Sequence, residues 1–151
     1  MTYETDPSLD LYVKATLAKK ALHPVVLDVH ELSSVADIFI ICGGRSNRQV
    51  KAIAEHTEIE LKKKGIRPLS VEGREEGHWV LMDYGHVIIH VFYEPVRSFY
   101  DLEGLWIDAK RIKTESMEIF AQNEQDETFE SESDSDLDLD GDYDDDYSKT
   151  L

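Results

Sequence analysis

The chain has 151 residues, with 32 Asp and Glu against 16 Lys and Arg and a formal net charge of −16. Thirteen of those acids and one lysine lie between Asn123 and Leu151, so residues 1–122 carry only −4; that argues against a broad phosphate-binding face and suits a basic protein partner. A lone cysteine, Cys42, excludes an intrachain disulfide, and no apolar run is long enough to span a bilayer.

The N-terminus, with Glu4, Asp6 and Asp10 in its first ten residues, does not read as a signal or transit peptide, so a soluble, cytoplasmic protein is expected. Asp6-Pro7 reads as a helix start, and Leu9, Val13, Leu17 and Ala21 form an i, i+4 row. One amphipathic helix is predicted from Pro7 to Leu22, stopped before Pro24, with a short strand over Val25–Val29. Asp37–Cys42 is apolar on both faces, as a central strand should be, and Gly43-Gly44 ends it. Ser46-Asn47-Arg48-Gln49 then forms a capping box, with Gln49 reaching back to the cap. The helix it opens carries Val50, Ile53, Ala54, Thr57 and Leu61 on one stripe and closes on Lys62-Lys63-Lys64-Gly65.

Leu69–Glu72 is a weak strand, while His78–Asp83 and His86–Phe92 are strong and predict a hairpin. Pro95 starts a brief closing helix. A further helix, thin on its apolar side, is expected within 107–122. From Asn123 the chain is too acidic and too poor in apolar groups to offset its ordering entropy, which predicts disorder over 123–151. The order α-β-β-α-β-β-β is that of a two-layer α/β domain with a mixed sheet, spanning 7–106.

The hairpin carries the functional question. With Tyr84-Gly85 as a two-residue turn, Asp83 pairs with His86 and Trp79 with His90. Val80, Met82, Val87, Ile89 and Val91 then share one face suited to the two long helices. The other face holds Trp79, Leu81, Asp83, His86, Ile88, His90 and Phe92. Left uncovered, it has the composition of a protein interface centre; covered by the closing helix or by 107–122, it is plain core.

Catalytic readings are weak. On a strand, His86 and His90 would stand about 13 Å apart, too far for one metal, and with a single cysteine no structural zinc site is expected. Gly43-Gly44-Arg45-Ser46 could cradle a phosphate at a helix start, but the clustered carboxylates that hold magnesium are missing from the pattern. A nucleotidyltransferase-like enzyme with a metal site at Gly44, Ser46 and Asp83 is the alternative to a binding protein. No cofactor is expected.

Three blocks carry a resemblance. Asp37–Val50, then Glu76–Trp79 with Asp83–Val87 and His90–Phe92, then Arg97–Glu103 with Leu105-Trp106, resemble the signatures of the ribosomal silencing factor family, RsfS, also called Iojap. The resemblance implies a nucleotidyltransferase-like α/β fold without catalytic carboxylates. It implies binding to ribosomal protein fourteen of the large subunit, at the intersubunit face, which blocks small-subunit joining when nutrients are short. Organelle relatives act in large-subunit assembly. The partner surface implied here is Trp79, Leu81, Asp83 and Tyr84, with Arg97 and Tyr100 as second choices, and two copies of the free protein could pair through it. The acidic extension departs from the family pattern, and is read either as a mimic of nucleic acid or as a solubilising terminus.

Overall fold

The computed structural model describes residues 7–130. In chain order these form α1 (Pro7–Leu17), β1 (Leu22–Asp28), β2 (Ile38–Gly44), α2 (Asn47–Lys63), β3 (Ser70–Glu72), β4 (Trp79–Asp83), β5 (Val87–Tyr93), α3 (Glu94–Tyr100), α4 (Leu102–Leu105), β6 (Lys110–Ile112) and α5 (Glu115–Glu130). The strands make one sheet in the order β3-β4-β5-β2-β1-β6. Central β2 and β5 run parallel, the chain passing from one to the other through α2, β3 and β4, and every other pair is antiparallel. This is the expected mixed α/β architecture. Among the described residues no helix is long and apolar enough to cross a membrane.

Helices α1 and α2 cover one side of the sheet. Their Leu9, Val13, Val50, Ile53 and Leu61 meet Val80, Met82, Val87, Ile89 and Val91 in a continuous core. Ser46 caps α2 as expected, its Oγ accepting the Gln49 N–H at 3.1 Å. Gln49 reaches one residue further back than a capping box requires. Its Oε1 accepts from the Arg45 N–H at 2.6 Å, and its Nε2 donates to the Lys19 and Lys20 carbonyls at 3.3 Å. The α2 start is thereby tied to the turn that leads into β1.

That turn corrects the first helix boundary. α1 stops at Leu17 rather than Leu22, because Lys20 takes a positive φ of 60° and the chain reverses there. Pro24 lies inside β1, at a bulge where the pairing with β2 slips between Leu22 and Val25. A proline has no N–H for the ladder, and a bulge is where a strand tolerates one.

The hairpin register is also corrected. Trp79 pairs with Phe92, Leu81 with His90 and Asp83 with Ile88, while the Tyr84 N–H donates to the Val87 carbonyl at 2.9 Å. The loop is therefore Gly85-His86, with Gly85 at a φ of 95°. Moving the turn by one residue shifts each partner by two, and a shift of two leaves the strand side chains on their expected faces; His86, expected beside Asp83, falls in the loop instead and meets Tyr12 of α1 edge-on at 5.8 Å.

The segment expected as one helix over 107–122 divides in two. Lys110–Ile112 adds β6 to the β1 edge, burying Ile112 in the helix-side core. Thr114 then caps α5, its Oγ1 accepting the Met117 N–H at 3.4 Å. α5 packs along α1, with Asp10 accepting from the Ser116 backbone and hydroxyl, and it runs past Asn123 to Glu130, into the stretch predicted to be disordered. The rest of that acidic stretch, 131–151, lies outside the described residues.

Candidate functional site

On the side of the sheet away from α1 and α2, the pairings align Leu27, Phe39, Ile41, Ile88, His90, Phe92, Trp79, Leu81 and Asp83. Helices α3 and α4 cover the part over β1, β2 and β5, and Tyr100 at the end of α3 reaches Trp79 on β4. Val96, Leu102, Trp106 and Ala109 pack there, and the Trp106 ring meets Phe39 edge-on with centroids 5.2 Å apart. Strands β4 and β3 extend beyond that cover. The choice between an open face and a covered one resolves into both: apolar core at one end, a half-buried rim at the other.

Trp79 sits at the boundary. Its indole stacks on Phe92 at 4.7 Å and leans against Tyr100 at 5.0 Å. Its N–H donates to His90 Nδ1 at 3.1 Å. His90 is 4% exposed, and burial depresses its pKa to about 4, so the ring is neutral and can accept. Beside Trp79, Leu81 and Asp83 are half-buried on the same face. Asp83 Oδ1 accepts the Gly85 N–H at 2.8 Å, which holds the carboxylate at the hairpin end. Tyr100 is 50% exposed and Phe99 is 80% exposed, their rings edge-to-face at 5.1 Å.

The six proposed contact residues do not all share this face. Tyr84 continues the alternation of β4 onto the opposite side, where it is 7% exposed and packs edge-on against Tyr12 at 5.4 Å. Burial pushes its hydroxyl up to about 12. Arg97 is 6% exposed and points into the fold. Its Nη1 donates to the Leu22 carbonyl at 3.2 Å and its Nη2 to the His23 carbonyl at 2.7 Å, while Glu94 and Glu103 neutralise it at 3.4 and 2.5 Å. It is a clamp between α3 and β1 rather than a surface group. The structure brings together Trp79, Leu81, Asp83 and Tyr100, and adds Phe99. Phe99 had a signal in the sequence, since two successive aromatics on a short helix cannot both face the sheet.

The same geometry dismantles the metal site at Gly44, Ser46 and Asp83. Gly44 pairs at the Tyr93 end of β5, whereas Asp83 is level with Ile88. Five residues of strand separate those levels by about 16 Å. The two glycines serve close packing instead. A Cβ on Gly43 would collide with the Glu94 carboxylate, and one on Gly44 would lie 2.9 Å from Val50 Cγ2. The glycine turn thus faces a carboxylate, which repels phosphate. Cys42 is fully buried, and burial raises its thiol to about 12, far from a thiolate nucleophile. Among the described residues no group of three His, Cys, Asp or Glu side chains is placed to hold a metal ion.

A family model described as "Ribosomal silencing factor during starvation" matches residues 2–139. The chain is 41% identical over 109 residues to the ribosomal silencing factor RsfS of Halalkalibacterium halodurans, covering 72% of this chain and 93% of that one. A crystal structure from Chromobacterium violaceum superposes with a TM-score of 0.65 at 38% identity, over 69% of this chain and 87% of that one. A more distant relative, 27% identical over 65% of this chain and 44% of its own length, is the mouse protein named mitochondrial assembly of ribosomal large subunit protein 1. On the strength of the family match and the bacterial relatives, this chain belongs to the RsfS family of ribosomal silencing factors.

Proposed function

We propose that this protein silences translation by occlusion in the cytoplasm. It binds the large ribosomal subunit through ribosomal protein fourteen of that subunit and keeps the small subunit from joining. It performs no catalysis. The observation that carries this reading is the uncovered end of the sheet, where Trp79 is held between Phe92 and Tyr100 with Leu81 and Asp83 beside it. A half-buried indole on a rigid strand, with one carboxylate at its edge, is an anchor for a basic protein partner. Asp83 meets a basic group of that partner, and Phe99 and Tyr100 extend the apolar contact.

Truncating an interface tryptophan costs about 2–4 kcal/mol, a loss of roughly 30-fold or more in affinity. Trp79→Ala, with its fold checked by thermal melting, is therefore expected to lose co-sedimentation with purified large subunits. Retained co-sedimentation at wild-type affinity would reject the surface. The name of the mouse relative favours a second reading, a role in large-subunit assembly. That role predicts accumulation of immature large subunits on depletion, while occlusion predicts excess joined ribosomes in starvation.

A further inference from the structure

We infer that His90 is a positioning residue for the docking face, holding the Trp79 indole in a single orientation, an inference that rests on that face being the ribosome-binding surface. An indole N–H can only donate, so His90 Nδ1 must accept at 3.1 Å, and the ring's own proton sits on Nε2. That Nε2 is buried and has no hydrogen-bond partner among the described residues. His90 therefore makes one bond, to Trp79, and leaves its other polar atom unsatisfied. Packing alone would favour an apolar side chain here, because an orphaned buried N–H is unfavourable. The neighbours are apolar or aromatic: Phe39 lies edge-on at 5.0 Å and Phe92 nearly parallel at 6.2 Å.

Stacking on Phe92 and the tilted contact with Tyr100 restrain the plane of the Trp79 ring but not which edge points inward. The hydrogen bond selects that edge. It turns the indole N–H to the core and leaves the carbocyclic edge for the partner, so that no indole N–H has to be desolvated on docking.

A double-mutant cycle on the full chain tests this. Large-subunit affinity is measured for wild type, Trp79→Ala, Trp79→Phe, His90→Leu and the Trp79→Phe, His90→Leu double variant, and the indole ¹H–¹⁵N resonances are recorded with Trp106 as internal reference. His90→Leu is expected to shift the Trp79 resonance, leave that of Trp106 in place, and weaken binding about five-fold, the usual scale of one hydrogen bond. In the Trp79→Phe background it should cost nothing further. His90→Asn, whose Oδ1 takes the place of Nδ1, should recover most of the affinity. Should His90→Leu not fold, His90→Gln, which puts its amide at the Nε2 end, replaces it in the cycle. An equal loss in both backgrounds would mean that His90 only packs, and overturns the role. Unchanged affinity of His90→Leu beside a weakened Trp79→Ala overturns this role alone, whereas unchanged affinity of Trp79→Ala overturns the docking face with it.

Discussion

His90 is expected to leave a signature in stability as well as in binding. Its folded pKa of about 4 lies below the ordinary value of 6.5, so in the window between them the unfolded chain binds a proton that the folded chain refuses. Stability from this group is therefore fully present above pH 6.5 and falls as the pH drops toward 4. At pH 5 the loss is about 2 kcal/mol. Another histidine works in the opposite sense: the hydrogen bond to Asp28 raises His30, so its contribution is present at low pH and fades as the pH rises through its folded pKa. A comparison between proteins separates the two. Urea denaturation at pH 7.5 and pH 5 should show a drop in wild type that is smaller by about 2 kcal/mol in His90→Leu. An identical drop in both would mean that His90 is not buried neutral. The sequence already set His90 on the mixed face, opposite Trp79; the register that sets it against Leu81 instead, with its Nδ1 on the indole N–H, is what suggests the positioning role.

Among the elements, α3 is placed by a contact that spans the fold. The Glu94 carboxylate occupies the space beside Gly43, and the same carboxylate holds Arg97, which ties down β1 at its bulge. Gly43→Ala should push Glu94 aside and loosen Arg97, at a cost of about 1–3 kcal/mol for a forced shift in a packed site. Thermal melting reads it directly, and an unchanged midpoint would show that Glu94 is not seated there. The elements that could be read from sequence are those whose evidence is local. The Ser46 cap and the alternation along β4 are written in adjacent residues, and the apolar runs of β2 and β5 mark strands buried on both faces. The elements that could not be read depend on distant partners. Lys110-Arg111-Ile112 has no strand signal of its own and becomes β6 because the β1 edge is open beside it. α5 gains its start from Thr114 and its support from Asp10, far apart in sequence. Leu22-His23-Pro24 resembled a helix end, and it became a bulged strand through Arg97 donating to its carbonyls.

At the scale of the molecule, the two sides of the sheet are covered unequally. One is sealed by α1 and α2 and makes the fold stable. The other is half sealed by α3 and α4 and leaves Trp79, Leu81, Asp83, Phe99 and Tyr100 at its uncovered end. A groove of about 450 Å³ lies between α5 and the start of β1, lined by His23, Pro24, Met117 and Phe120; none of the proposed docking residues lines it. Tyr100 joins from α3, and the shared face of Trp79, Leu81 and Asp83 was legible because alternation assigns faces even when the register slips by two. Tyr84 was not, because its side depends on where the turn begins, and Arg97 was not, because a charged side chain on a short helix gives no sign of being folded inward. The central claim is that docking at this face prevents subunit joining. Purified large and small subunits can be mixed at fixed magnesium concentration, with joining followed by light scattering as the protein is titrated in. Wild type should suppress the joined fraction in proportion to its occupancy of the large subunit, and folded Trp79→Ala should leave joining at the level seen without any factor. Equal suppression by the two proteins, or undiminished joining with wild type bound to every large subunit, would contradict the account.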